Sequence, residues 1–288
     1  MATPTAYVSI GDTHIHCKLG LTAPDSTIDF GVSAGPSRAT RWVWENVWKP
    51  FHDEVVPWAT QGQPHVLCHG GDIVDGVHHR STTQMSQDMD AQEQAAIAIM
   101  APLVERAAQY FQLAGTDAHD GQSWANARRI ARALGSPEST DGNPLWPELR
   151  IMIGDGLIHD THHVATTGIQ RSMPNGITAD AIEQFVTAAK AGDRCPDVFL
   201  RHHCHHASRS GGFLRDPNHW WQAMTVPGWQ LKGPYAWKVG ARNHLTHFGG
   251  VVVRWVTVPW NTGHLELIPF TRSAGPSEPI ILKGEAWN

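Results

Sequence analysis

Charge is scarce in this chain. Asp, Glu, Lys and Arg make up 17% of its 288 residues, against roughly 25% in ordinary soluble domains. What charge there is leans negative, with a formal net value of −5. A nucleic-acid coat or an anionic-membrane binder depends on summed positive charge, so both are argued against. Cysteine is also sparse: Cys17, Cys68, Cys195 and Cys204 stand far apart with no C-x-x-C, which indicates neither a disulfide framework nor a thiolate zinc knuckle. No run approaches the roughly 20 apolar residues of a membrane-spanning helix. The opening MATPTAYVSI lacks the basic start and apolar stretch of a signal peptide. Internal repeats and low-complexity segments are missing too. These absences point to a soluble cytoplasmic protein folded as one domain over residues 1–288, with a β-rich completion and tail from about residue 250.

What the chain has in excess is histidine, 19 in all, and tryptophan, 13. With thiolates so few, any metal here would be held by imidazole and carboxylate. Ala6 to Ile10 reads as a buried strand ending at Gly11-Asp12. From Ser37, a helix N-cap, Trp44, Val47, Trp48, Phe51, Val55 and Trp58 recur at helical spacing and predict one buried face. Val66 to Cys68 and Tyr110 to Ala114 read as further strands, with helices around residues 91–107 and 123–134. A hairpin follows, turning at Gly154-Asp155-Gly156. Thr178 caps a helix to about Ala191, Asp197 to Leu200 is a strand, and the pattern after residue 206 turns mostly β. The tryptophans of the last third, among them Trp220, Trp221 and Trp229, read as sheet packing or a subunit contact, so a homo-oligomer is open.

Five polar clusters each follow a strand-like run: Asp12-Thr13-His14, Gly71-Asp72-Ile73-Val74-Asp75, Gly115-Thr116-Asp117-Ala118-His119-Asp120, His162-His163, and His202-His203-Cys204-His205-His206. Open α/β sheets build their sites at the carboxyl ends of strands. One such cluster reads as a cap or a surface pair, but five in succession ask for chemistry.

In these clusters the chain resembles the calcineurin-like metallophosphoesterases, whose pattern runs D-x-H, G-D-x-x-D, G-N-H-D/E, a strand-end His and G-H-x-H. GDTHIH and GGDIVDG match the first two closely, GTDAHD matches the third with changes, and THH and HHCH supply the last two. GTDAH and the later PGWQLKGPYAW are also similar to phage-encoded members, which would set the protein in a host cytoplasm. The resemblance implies an α/β, four-layer αββα sandwich of two mixed sheets flanked by helices. It implies two divalent ions, Mn²⁺, Fe or Zn²⁺, bridged by Asp72. Asp12, His14 and His205 complete one ion, and Asp117, His162 and His203 the other. Two such ions about 3.5–4 Å apart generate a hydroxide nucleophile and neutralise phosphoryl charge. His119 would act as general acid, oriented by Asp120.

The third motif has no Asn, so Asp117 or Thr116 replaces it, and Asp117 as the stronger ligand is preferred. Three ligand carboxylates would then suit monoanionic phosphodiesters. The choices between His162 and His163 and between His202 and His203 stay open, although alternate residues at a strand end favour His203 with His205. His16 reads as a loop or supporting residue. His78-His79-Arg80, Arg171, Arg209 and Arg215 could face substrate, which is a small phosphate ester, a nucleotide or a nucleic-acid phosphodiester. Three other readings compete. DTHIH is also similar to the H-x-H of amidohydrolase barrels, the His-Asp doublets to helical HD-type phosphohydrolases, and a non-catalytic phage or partner-binding protein could use the same scaffold.

Overall fold

A computed structural model describes residues 3–78, 82–163, 173–214, 216–233, 246–258 and 261–273. His79, Arg80, Arg171, Arg215 and the tail from residue 274 lie outside the described residues. β1 (Ala6–Ile10), β2 (His65–His69), β3 (Gln109–Leu113) and β4 (Leu145–Trp146) run parallel in one sheet. The second sheet is made of β5 (Glu148–Ile153), β6 (Gly156–Thr161), β7 (Val198–Arg201), β8 (Ser208–Leu214) and β9 (Asp216–Thr225), in the order β5-β6-β7-β9-β8. β10 (His247–Val258) pairs antiparallel with β1 and with β11 (Asn261–Ser273), so the first sheet runs β11-β10-β1-β2-β3-β4. Both sheets are mixed, since β5–β6 and β8–β9 are antiparallel while β6–β7 and β7–β9 are parallel.

Alternation along the strands sets the layers. Val8, Ile10 and Leu67 face the helical side of the first sheet with Met100 and Ile130, while Tyr7, Val66 and Cys68 face Ile158, Val198 and Leu200 of the second. Phe199, between Val198 and Leu200, points the other way and packs on Ile177, Ala181 and Phe185. Strands buried on both faces read as continuous apolar runs rather than alternation. The helical layers are α1 (Arg38–Val43), α2 (Val56–Thr60), α3 (Met89–Val104), the short α4 (Asp117–Asp120) and α5 (Ala125–Ala133) on the first sheet's side, and α6 (Met173–Ala191) on the second. Two mixed sheets flanked by helices make an α/β sandwich, as the resemblance implies. A (β/α)₈ barrel and an all-helical fold are therefore both excluded.

Ser37 caps α1 as expected, its Oγ accepting from the Thr40 N–H at 3.2 Å. The predicted single apolar face does not hold to its end. Trp44–Trp48 and Phe51–Val55 form π-helical turns around Pro50, which has no N–H to give to the ladder. The wider turns lose the 3.6-residue phase, so Trp48 is buried while Trp58 is 66% exposed. α6 begins at Met173 rather than Thr178. β8 and β9 fall in the stretch after residue 206 expected to be mostly β, although Gly211-Gly212 and Pro217 blur their bounds in the sequence. Trp221 and Trp229 are buried, as sheet packing predicts, whereas Trp220 is half exposed.

Candidate metal centre

The carboxyl ends of β1, β2, β3, β6 and β7 bring their following residues to one place between the two sheets. Getting side chains there requires unusual backbone. Asp12, His14, His16, Asp72, His203 and His205 all have φ between 42° and 68°, a left-handed conformation that costs a non-glycine residue about 1–2 kcal/mol. Strain of this kind persists where the surroundings over-determine it. Gly71 has φ +94°, and a Cβ there would lie 2.7 Å from Gly115 Cα and from His162 Nδ1, so only glycine lets the Asp72 loop pass.

The ligand atoms fall into overlapping groups in which each lies within 4.8 Å of the others. These are Asp12, His14 and His205; Asp12, Asp72 and His162; His14, Asp72 and His119; Asp75, His78 and His119; and His162, His163 and His203. Asp72 stands in the middle. Its Oδ1 accepts from the Thr116 N–H at 2.6 Å and the Thr116 hydroxyl at 2.9 Å, and its Oδ2 lies 3.4 Å from His162 Nε2. His162 donates from Nδ1 to the Gly70 carbonyl at 2.6 Å, which turns Nε2 inward. Asp12 accepts from the His203 N–H on Oδ2 at 3.0 Å, while its Oδ1 faces His205 Nε2 at 3.3 Å. His14 Nε2 and His205 Nε2 lie 3.0 Å apart.

The electrostatics hold the two central carboxylates ionised. Burial opposes ionising Asp12, yet His205 outweighs it and holds the carboxyl below the usual range. Asp72 is likewise held low by His162 against its own burial. Conversely, Asp72 overcomes the burial of His162 and pushes that imidazole up to about 10. Burial, then the neighbouring His119 and His205, lowers His14, and burial with His162 lowers His203. Ionised carboxylates and neutral imidazoles are the forms that bind metal, so His162 would have to give up its proton to a cation. Asp12 Oδ1 and His162 Nε2 are buried with no hydrogen-bond partner, a state that costs free energy unless something fills it. Metal binding therefore fits the residues present.

Asp117 is not among the residues brought together. It is exposed at the first position of α4 and belongs to none of the ligand groups among the described residues. Thr116, still extended at φ −85° and ψ 147°, is the residue that points inward. Asp120 does not touch His119 in the expected way. The His119 Nδ1 instead lies 2.7 Å from the Asp75 carbonyl, and the Asp120 carboxylate accepts from the Gly115 N–H at 2.7 Å and the Ile73 N–H at 3.3 Å. Burial, then Asp72, pushes Asp120 up to about 7.

His203 reaches the centre while His202 turns away beneath it. Its ring lies against Gly11 and Gly70, where a Cβ would come within 2.4 Å and 2.2 Å, and its Nε2 sits 3.0 Å from Asp160 Oδ1. Tyr7 and Ser9 donate to the other oxygen of Asp160 at 2.9 Å and 2.8 Å. Sequence reasoning missed this buried network; His69, whose Nε2 lies 3.0 Å from the Thr13 hydroxyl, is a buried structural histidine. Nothing in a lone Asp or Ser distinguishes such a role. His16 is buried with Nε2 at 2.9 Å from the Thr27 carbonyl, which fixes the following loop.

Vps29 proteins and a predicted phosphoesterase are structural neighbours of this chain. Vps29 of Chaetomium thermophilum is 10% identical with a TM-score of 0.38, covering 94% of this chain and 98% of its own. A predicted phosphoesterase of Streptococcus pneumoniae is 12% identical at 0.32, covering 94% and 100%. Vps29 of Entamoeba histolytica, solved in complex with Zn²⁺, is 9% identical at 0.32, covering 92% and 98%. No family model matches the chain. No curated protein matches it.

Proposed function

We propose that the chain is a single-domain, dinuclear metal-dependent phosphoesterase. The observation that carries this is the convergence of Asp12, His14, His205, His162 and His203 around one central carboxylate, Asp72, with buried ligand atoms left unpaired. Asp12, His14 and His205 would hold one ion, His162 and His203 the other, with Asp72 between them. When bound, two divalent ions supply a hydroxide nucleophile at neutral pH and offset charge on the phosphoryl oxygens.

The chain's own residues do the rest. Thr116 fixes the rotamer of Asp72 through two donated hydrogen bonds. His119 lies edge-on to His14, with ring centroids 4.3 Å apart. Its Nδ1 is tied to the Asp75 carbonyl, so Nε2 is the atom free to give a proton to the leaving oxygen. Asp120 ties the loops after β2 and β3 together and so positions His119 indirectly. A preference for phosphodiesters depends on Asp117 as a third ligand carboxylate, and Asp117 is exposed, so the reading extends to phosphate esters in general. Free cysteines, two of them buried, suit a reducing cytoplasm.

The test is metal analysis of the purified protein beside hydrolysis of bis-p-nitrophenyl phosphate, p-nitrophenyl phosphate, DNA and RNA. Two metals per chain and ester hydrolysis, both lost in Asp72→Asn, are expected. A folded protein that takes up no metal and hydrolyses none of these overturns the reading.

A further inference from the structure

The motif pattern uses one of the two histidines that follow β6, yet both sit beside the centre. The rings of His162, His163 and His203 form a triangle with centroids 4.8 Å, 5.2 Å and 5.2 Å apart. All three meet edge-on, at 83°, 66° and 63°, and one ring nitrogen of each lies within 4.8 Å of the other two. His162 spends Nδ1 on the Gly70 carbonyl and keeps for this group a buried Nε2 that makes no hydrogen bond and lies 3.4 Å from Asp72 Oδ2. On the opposite side, Thr116 gives its N–H and its hydroxyl to Asp72, and Asp117 points to solvent. This half of the centre is thus short of an oxygen ligand and rich in nitrogen.

We propose that His163 is a third imidazole ligand of the ion held by Asp72, His162 and His203. The site becomes three imidazoles and one carboxylate. That set suits a borderline cation, Zn²⁺ ahead of Mn²⁺ or Mg²⁺, because imidazole favours Zn²⁺ while carboxylate and water favour Mn²⁺ and Mg²⁺. The other ion, held by Asp12, His14, His205 and Asp72, draws half its donors from carboxylates and discriminates less. The inference rests on the metal-centre reading above, and the two fail differently.

The experiment titrates Zn²⁺ and Mn²⁺ into the metal-free full chain against a chromophoric chelator, comparing wild type with His163→Ala and His163→Gln. His163 is exposed, so neither change should disturb the fold, and the unfolding midpoint of the metal-free protein checks this. The wild type is expected to bind two Zn²⁺. Both variants should weaken one Zn²⁺ by roughly tenfold or more, as losing even a supporting residue of a metal site does. They should leave the second Zn²⁺ unchanged and weaken Mn²⁺ by a smaller factor. Smaller losses, or equal losses for Zn²⁺ and Mn²⁺, overturn the role of His163 whatever happens to hydrolysis. A wild type that binds no metal overturns the centre itself.

Discussion

At the scale of single residues, the candidate site separates groups that hold from groups that react. Asp12, Asp72 and the imidazoles of His14, His162 and His205 turn inward through backbone that non-glycine residues seldom adopt or through hydrogen bonds to carbonyls. His119 differs. Its ring is fixed by a carbonyl rather than a carboxylate, and it is only partly buried, which leaves it open to an incoming ester. Replacing His119 by Ala should lower kcat/KM by roughly 10²- to 10⁴-fold, the usual worth of a placed acid. Metal content and the thermal midpoint should stay as in the wild type. Steady-state kinetics beside metal analysis checks this, and turnover within a few-fold of wild type would remove His119 from the reaction and favour a binding module. The same scale explains what was legible in the sequence. Asp12, His14 and Asp72 stood out because GDTHIH and GGDIVDG, just after the first two strands, resemble the metallophosphoesterase motifs. The choice between Thr116 and Asp117 could not be read there, because it depends on which of two adjacent residues is the last extended one. The backbone enters α4 at Asp117, so Thr116 faces the centre and Asp117 faces solvent.

Among elements, the parallel strands were legible through their buried runs, whereas the bounds of β8 were not, since among the described residues it is an edge strand paired with β9 and its centre is Gly211-Gly212. The support of α6 was equally hidden. Arg201, at the end of β7, is 1% exposed and donates from Nε to Asp180 of α6 at 2.7 Å. Another guanidinium nitrogen donates to the His159 carbonyl at 3.2 Å, and His159 Nε2 lies 2.9 Å from Glu148. Since Arg201 directly precedes His202 and His203, this pair anchors the strand that delivers them. Asp180→Ala would strand a buried guanidinium, and breaking one side of such a pair costs about 3–5 kcal/mol. The double change Asp180→Leu with Arg201→Met should recover most of that loss, because apolar residues of similar volume carry no desolvation penalty. Urea midpoints of the two variants decide it. A single variant as stable as wild type would mean that the ion pair does not hold α6.

For the molecule as a whole, the centre is also a joint. Asp12, His14 and Asp72 come from the first sheet, and His162, His203 and His205 from the second. Below them Tyr7 and Ser9 of one sheet reach Asp160 of the other. A cation held between the sheets would therefore add to stability as any ligand of the native state does, by about 2.7 kcal/mol at a hundredfold excess over Kd. The pH dependence of this effect follows from His162. Without metal its folded value is raised from 6.5 to about 10, by Asp72 against the opposing effect of burial. The folded state then binds the proton more tightly than the unfolded one. That contribution is fully present below pH 6.5 and is lost as pH rises through 10. With metal bound, Nε2 must be unprotonated, so this loss disappears and uptake releases the proton instead. Two outcomes follow. Adding Zn²⁺ to metal-free protein in weak buffer at about pH 7.5 should release about one proton from His162, and none at that position in His162→Gln. The gap between metal-loaded and metal-free unfolding midpoints should also widen from about pH 7 to about pH 9, as the metal-free form alone loses the His162 term. Uptake without proton release, or a gap that narrows over this range, would show that His162 does not exchange its proton for a metal.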